Sequence, residues 1–161
     1  MRKPNNAVLL VGCGASKVWR KKPALGRVPA KDAYTSSLFR LCRAYAEKYY
    51  PGRWVIISAK YGLLDPSTLI ANYDAIVNES MYAATIRRVR VQWRTRFAKV
   101  RAAVTFAGAN YNQILLQALS STVTIKTPLQ HCGLFQRLAW LKRAVSARDL
   151  LKFSAFSDDL R

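Results

Sequence analysis

The chain has 161 residues, 51% hydrophobic and 11% aromatic, with seven Gly and six Pro; this excludes disordered, collagen-like and low-complexity classes and supplies one domain that needs no metal or disulfide staple. Twenty-seven Lys and Arg against eight Asp and Glu leave a net charge of +19, far above the single digits of an ordinary small domain, so the surface repels itself unless a polyanion relieves it. Nucleic acid is the leading polyanion, ahead of an anionic membrane surface and of a plain solubility bias.

Residues 7–11 (AVLLV) form a continuous apolar run that ends at Gly12-Cys13-Gly14, the pattern of a strand buried on both faces. The run is too short for a secretion signal or a membrane span, so a cytoplasmic protein is expected. Ser36 or Ser37 caps a helix that continues to about Tyr49, with Phe39, Cys42, Tyr45, Ala46 and Tyr49 on one stripe. Pro51-Gly52 turns the chain into a second apolar run, residues 53–58 (RWVIIS). Ile86, Val89, Trp93, Phe97 and Val100 recur at helical spacing. Residues 102–107 (AAVTFA) and 122–126 (TVTIK) read as two more strands, closed by Gly108 and Pro128, and residues 111–119 and 134–145 read as helices. This alternation predicts a single α/β domain over 1–161, a sandwich whose mostly parallel sheet is flanked by helices, with its core in 7–145 and a C-terminal extension in 146–161.

Parallel sheets bind ligands beyond the carboxyl ends of their strands. Four polar loops should therefore open on one rim. The first, Gly12-Cys13-Gly14-Ala15-Ser16-Lys17, suits close approach of an anion to the backbone with Lys17 as the charge, but it matches neither the P-loop nor the GxGxxG spacing. The second, Ser58-Ala59-Lys60-Tyr61-Gly62, places an amine and a phenol after a buried strand, and Tyr73-Asp74 follows. A lysine so placed is a nucleophile or a phosphate clamp, and a carboxylate in a basic chain is a general base, a partner that orients the lysine, or a salt-bridge residue. Asn110 and Tyr111 stand in the third loop, and residues 128–133 form the fourth.

Cys13, Cys42 and Cys132 are odd in number and lack CxxC spacing, so neither a disulfide framework nor a zinc site is expected. Cys13 reads either as an activated thiolate or as a buried strand-end residue, and Cys42 falls on a core stripe. Arg87, Arg88, Arg90, Arg94 and Arg101 crowd the polar face of the long helical segment with no acid between Glu79 and Asp149, which reads as a phosphate-binding face. Arg20-Lys21-Lys22 is a second basic group, with Trp19 beside it as a stacking surface.

GCGASK, residues 30–39 (AKDAYTSSLF), SAKYGLLDP and Asn72-Tyr73-Asp74, with Gln136 in a later stretch, resemble a bacterial and phage domain family that is distantly similar to the YaaA peroxide-stress proteins. Asn72 stands where those proteins usually have Pro. The resemblance implies a basic cleft, DNA rather than RNA as partner, and kinship with base-excising and base-exchanging enzymes. The expected function is a DNA-binding enzyme that acts on bases at the N-glycosidic bond, in DNA modification or repair; the alternatives are a DNA-binding protein without catalysis and a nucleotide or small-molecule enzyme with a basic surface. Lys60, Asp74, Lys17 and Asp32 are the catalytic candidates. Cys13, Ser16, Tyr34, Ser58, Tyr61, Asn110, Tyr111 and Gln136 are the substrate-binding candidates, and no metal, cofactor or membrane partner is expected.

Overall fold

Short apolar runs separated by amphipathic helices pack stably as a parallel sheet covered on both faces. The computed structural model, which describes residues 6–75 and 78–148, has this architecture. In chain order the elements are β1 (Ala7–Gly12), a 3-10 turn (Val18–Arg20), β2 (Val28–Pro29), α1 (Ala30–Ala33), α2 (Ser37–Tyr49), β3 (Trp54–Ser58), β4 (Gly62–Leu64), β5 (Leu69–Ile70), α3 (Glu79–Arg96), β6 (Ala102–Thr105), α4 (Ala109–Ala118), β7 (Thr124–Lys126) and α5 (Leu134–Ser146). The main sheet has the order β4-β3-β1-β6-β7, parallel except for β4, while β2 and β5 pair separately and antiparallel. Most of the extension assigned to 146–161 lies outside the described residues. Among the described residues, no helix is long and apolar enough to cross a membrane.

Alternation along β1 splits the core into two layers. Ala7, Leu9 and Val11 face Phe39, Cys42 and Tyr45 of α2 and Leu141 and Ala144 of α5. Val8 and Leu10 face Val89 and Trp93 of α3 and Ile114 and Leu115 of α4. Lys48 donates to the carbonyls of Ala144, Val145 and Ala147, tying α2 to the end of α5 where the last carbonyls lack intrahelical partners.

Two local features differ from the sequence reading. The Tyr61-Gly62-Leu63-Leu64 segment, read as loop, turns back as the antiparallel edge strand β4, because Gly62 takes φ +68° and both leucines find apolar cover. The helix read from Ile86 begins at Glu79, where Asn78 accepts a hydrogen bond from the Met81 N–H at 3.0 Å. Its first turns are weakly apolar, so periodicity alone does not reveal them.

β4 is pinned by α3. The Gln92 carboxamide accepts from the Leu63 N–H at 2.7 Å and donates to the carbonyls of Tyr61 and Leu63. A Cβ at Gly62 would collide with the Gln92 side-chain oxygen and press on Arg88. Gly62→Ala therefore combines left-handed strain with loss of the Gln92 bonds, and unfolding in denaturant should show about 2–4 kcal/mol less stability.

Candidate functional site

The chain leaves β1 toward β3 on one side, and it leaves β6 toward β7 on the other. Such a reversal opens a crevice beyond the strand ends. Here the two strand ends approach closely: a Cβ on Gly12 would sit 3.1 Å from the Ala107 Cα. Above this contact lies a cleft of about 510 Å³, within the range of small-ligand sites.

One wall is the 12–17 loop. It is pinned by the Thr35 N–H donating to the Ser16 carbonyl at 2.9 Å and by a backbone bridge between Lys17 and Tyr34. A second wall is the first turn of α4, Ala109 to Tyr111, whose leading N–H groups have no partner within the helix. Ser36, which caps α2 by accepting from the Phe39 N–H at 3.2 Å, stands at a third side with Leu38 and Phe39. Asp74, beside Tyr73, completes the rim.

Beneath the rim, phenols, a hydroxyl and a thiol form a connected set. The hydroxyls of Tyr34 and Tyr73 are 2.6 Å apart, and Ser58 Oγ lies 3.2 Å from Tyr73 Oη. Tyr111 Oη accepts from the Ala59 N–H at 3.1 Å and lies 3.2 Å from Cys13 Sγ. Burial, reinforced by the neighbouring Cys13, pushes the Tyr73 phenol up to about 12, against hydrogen bonds to Ser58 and Tyr34 that pull it down. Burial also raises Tyr34 and Tyr111 well above the ordinary phenol range, with Tyr73 adding to the first and Cys13 to the second. These phenols are neutral near pH 7; they orient and stack rather than act as bases.

Cations meet at the Tyr73 ring. Lys17 Nζ lies 4.4 Å and Lys60 Nζ 5.2 Å from its centroid, and Tyr61 packs edge-on at 5.3 Å. Of the described carboxylate side chains, Asp32, Glu47 and Asp65 are ion-paired to arginines; Asp74 forms no ion pair with a described residue and stands in the cleft wall.

The structure brings Lys17, Cys13, Asp74, Asn110 and Tyr111 together on the cleft. It does not bring every sequence candidate there. Tyr34 and Ser58 are buried below the surface and position Tyr73. Lys60 and Tyr61 flank the Tyr73 ring outside the wall, and Ser16 contributes its carbonyl to the loop fastening. Asp32 is held by Arg43 at 2.6 Å, away from the cleft, and Gln136 caps α5 by accepting from the Gly133 N–H at 2.9 Å. Trp19 is no stacking surface: its ring is buried and its N–H bonds the carbonyls of Leu25 and Gly26. Phe39, Phe106 and Arg137 also line the cleft and were absent from the sequence candidates. Tyr73 was legible beside Asp74, but Arg137 belongs to a helix whose approach to the cleft only packing defines.

The basic group read over 87–101, on α3 and the segment after it, divides. Arg88 donates to the Lys60 carbonyl at 2.6 Å, Arg90 to Gln117 and Arg101 to Ala98, so these guanidiniums are engaged with backbone; Arg87 and Arg94 are exposed. The helix descends from the rim, where Thr85 touches Ala59, to the start of β6. Arg94 and Arg101 therefore sit toward the end of the sheet opposite the cleft. Arg20, Lys21 and Lys22 are exposed directly after the cleft loop.

Fold and site together define an open-sheet α/β protein with a ligand-sized cleft at its topological switch point. Residues 8–143 match a family described as of unknown function, DUF6884, and the chain belongs to it. It is 33% identical over 146 residues to the uncharacterised protein YfjM of Bacillus subtilis (strain 168), covering 86% of this chain and 95% of that one. No solved structure matches the chain.

The raised phenols predict alkaline instability. In the unfolded chain tyrosines ionise near 10, whereas folded Tyr34, Tyr73 and Tyr111 stay protonated, so above that pH the folded state binds more protons and stability falls as pH rises from about 10 toward 12. Ultraviolet titration of the native protein should show clearly fewer than its eight tyrosines ionised at about pH 11, and the double substitution Tyr34→Phe, Tyr73→Phe should make the alkaline fall in melting temperature shallower. Native titration of all eight near pH 10 would contradict the network.

Proposed function

We propose that this protein acts on the bases of nucleic acid, DNA before RNA, cleaving or exchanging the N-glycosidic bond of a nucleotide taken into the cleft. The observation that carries this reading is the pairing of opposite electrostatic poles in one cleft: Asp74, with no ion-pair partner among the described residues, facing a site that also holds Lys17 and the open first turn of α4. Breaking an N-glycosidic bond develops positive charge on the sugar and negative charge on the departing base. A carboxylate stabilises the first or activates the attacking water, and an ammonium with backbone N–H groups stabilises the second. In hydrolysis water supplies the new C–O bond at the sugar, and its proton leaves with the base.

Phe106 and Tyr111 offer ring surface to a base, and Asn110 offers an edge partner. Lys60, beside the cleft rather than in its wall, serves as a phosphate clamp together with Arg20, Lys21 and Lys22. The net charge of +19 supports a polyanionic substrate over a free small molecule. The YaaA resemblance points the same way and supports a cytoplasmic DNA-directed role. A DNA-binding protein without chemistry would rest on the same cations but gives the Asp74 carboxylate in the cleft wall no task.

Release of free base from single- and double-stranded DNA carrying normal and modified bases tests the proposal. Asp74→Asn should lower release at least about 100-fold with DNA affinity unchanged, while Lys60→Arg retains most activity because Arg also binds phosphate. Binding without release from any substrate would favour the non-catalytic reading. Replacing Arg20, Lys21 and Lys22 by Ala should reduce the slope of log affinity against log salt by about 2 to 3, whereas replacing Arg94 and Arg101 should leave it nearly unchanged.

A further inference from the structure

α5 begins at the same rim. Its first residues, Leu134 and Phe135, are 56% and 85% exposed, and Phe135 is the most exposed large apolar side chain among the described residues. The other exposed large apolar residues, Leu25, Leu69, Val91 and Leu116, stand singly on separate segments, which is ordinary. Two adjacent apolar side chains at a rim this basic are not. α5 starts from the loop beyond the carboxyl end of β7, the end of the sheet at which the cleft opens, and Cα–Cβ bonds tilt toward a helix N-terminus. Two residues on, Arg137 lines that cleft.

The mount is rigid. The Gln136 side chain receives the Gly133 N–H, and Arg137 donates to the carbonyls of Cys132 at 2.9 Å and Gln130 at 3.3 Å. Thr127 donates to the Gln130 side chain at 2.7 Å. These bonds hold the turn that leads into Phe135. A flat apolar ring on a stiff mount, beside a nucleotide-sized cleft on a polycation, fits one occupant: the gap between stacked bases.

We propose that Phe135, supported by Leu134, is the wedge that inserts into duplex nucleic acid and fills the space left by the base that enters the cleft. The inference rests on the reading of the cleft as a base site and adds to it duplex substrate and a mechanism of extrusion. The test is a duplex containing 2-aminopurine, matched or mismatched, whose fluorescence rises when the base leaves the stack. Wild-type protein should raise the fluorescence. Phe135→Ala should abolish the rise and weaken duplex affinity about 5- to 150-fold, the range expected when one aromatic stacking partner is lost; Phe135→Leu should restore much of both. Melting temperature should not change, since the side chain is exposed.

A Phe135→Ala protein that unstacks the probe as wild type does would overturn the wedge while leaving the cleft reading intact. Loss of the rise in Phe135→Ala, with no base release by wild type from any substrate, would keep the wedge and remove the glycosidic chemistry. A dimer that dissociates on Phe135→Ala, with duplex affinity unchanged, would overturn the wedge by assigning the patch to a second copy of the chain.

Discussion

The end of β1 rests against the chain just past β6, so closely that a Cβ at Gly12 would press on Ala107, and the site depends on this contact. Strands this close bring the 12–17 loop and the first turn of α4 to opposite sides of one crevice. Because the chain turns away in opposite directions after the two strands, nothing in either connection crosses the gap. The cleft thus follows from strand order and the close approach at Gly12. The helices on both faces hold that order by burying alternate residues of β1 in separate apolar layers.

Around the cleft, burial and charge divide the chemistry. Below the surface, neutral phenols satisfy one another, with no buried side-chain polar atom left unpaired among the described residues. At the surface stand the groups that carry charge: Lys17, Lys60 and Asp74. Tyr73 joins the two levels, its hydroxyl bonded to Tyr34 and Ser58 while its ring meets both lysines. That anchoring gives the neighbouring Asp74 a defined place beside the cleft, although Asn72 before it supplies no rigid turn of the kind a proline would. Tertiary hydrogen bonding holds the residue that a local turn would otherwise constrain.

The large positive charge divides in a comparable way. Arg88 and Arg96 fasten β4 and the turn before it, and Arg90 the end of α4, through backbone carbonyls, so part of an apparent phosphate-binding face is structural bracing. Their charge still adds to the field around the molecule, which draws polyanions from a distance. On the proposed function, short-range recognition falls to the cations at the rim.

By itself the sequence determined the four parallel strands, the helices between them and the loops that form the rim, because apolar period and turn residues are local signals that burial obeys. It also identified Lys17, Asp74, Asn110 and Tyr111 as residues of that rim. Only the tertiary structure decided the strand order, the return of residues 62–64 as an edge strand, and which polar residues reach the cleft. Asp32, Gln136, Ser58 and Tyr34 have the same chemistry whether they bind a ligand or brace the fold; Arg43, the Gly133 N–H and Tyr73 are the partners that settle it. Those partners lie between 3 and 39 residues away in the chain, and apolar periodicity says nothing about which polar side chains meet.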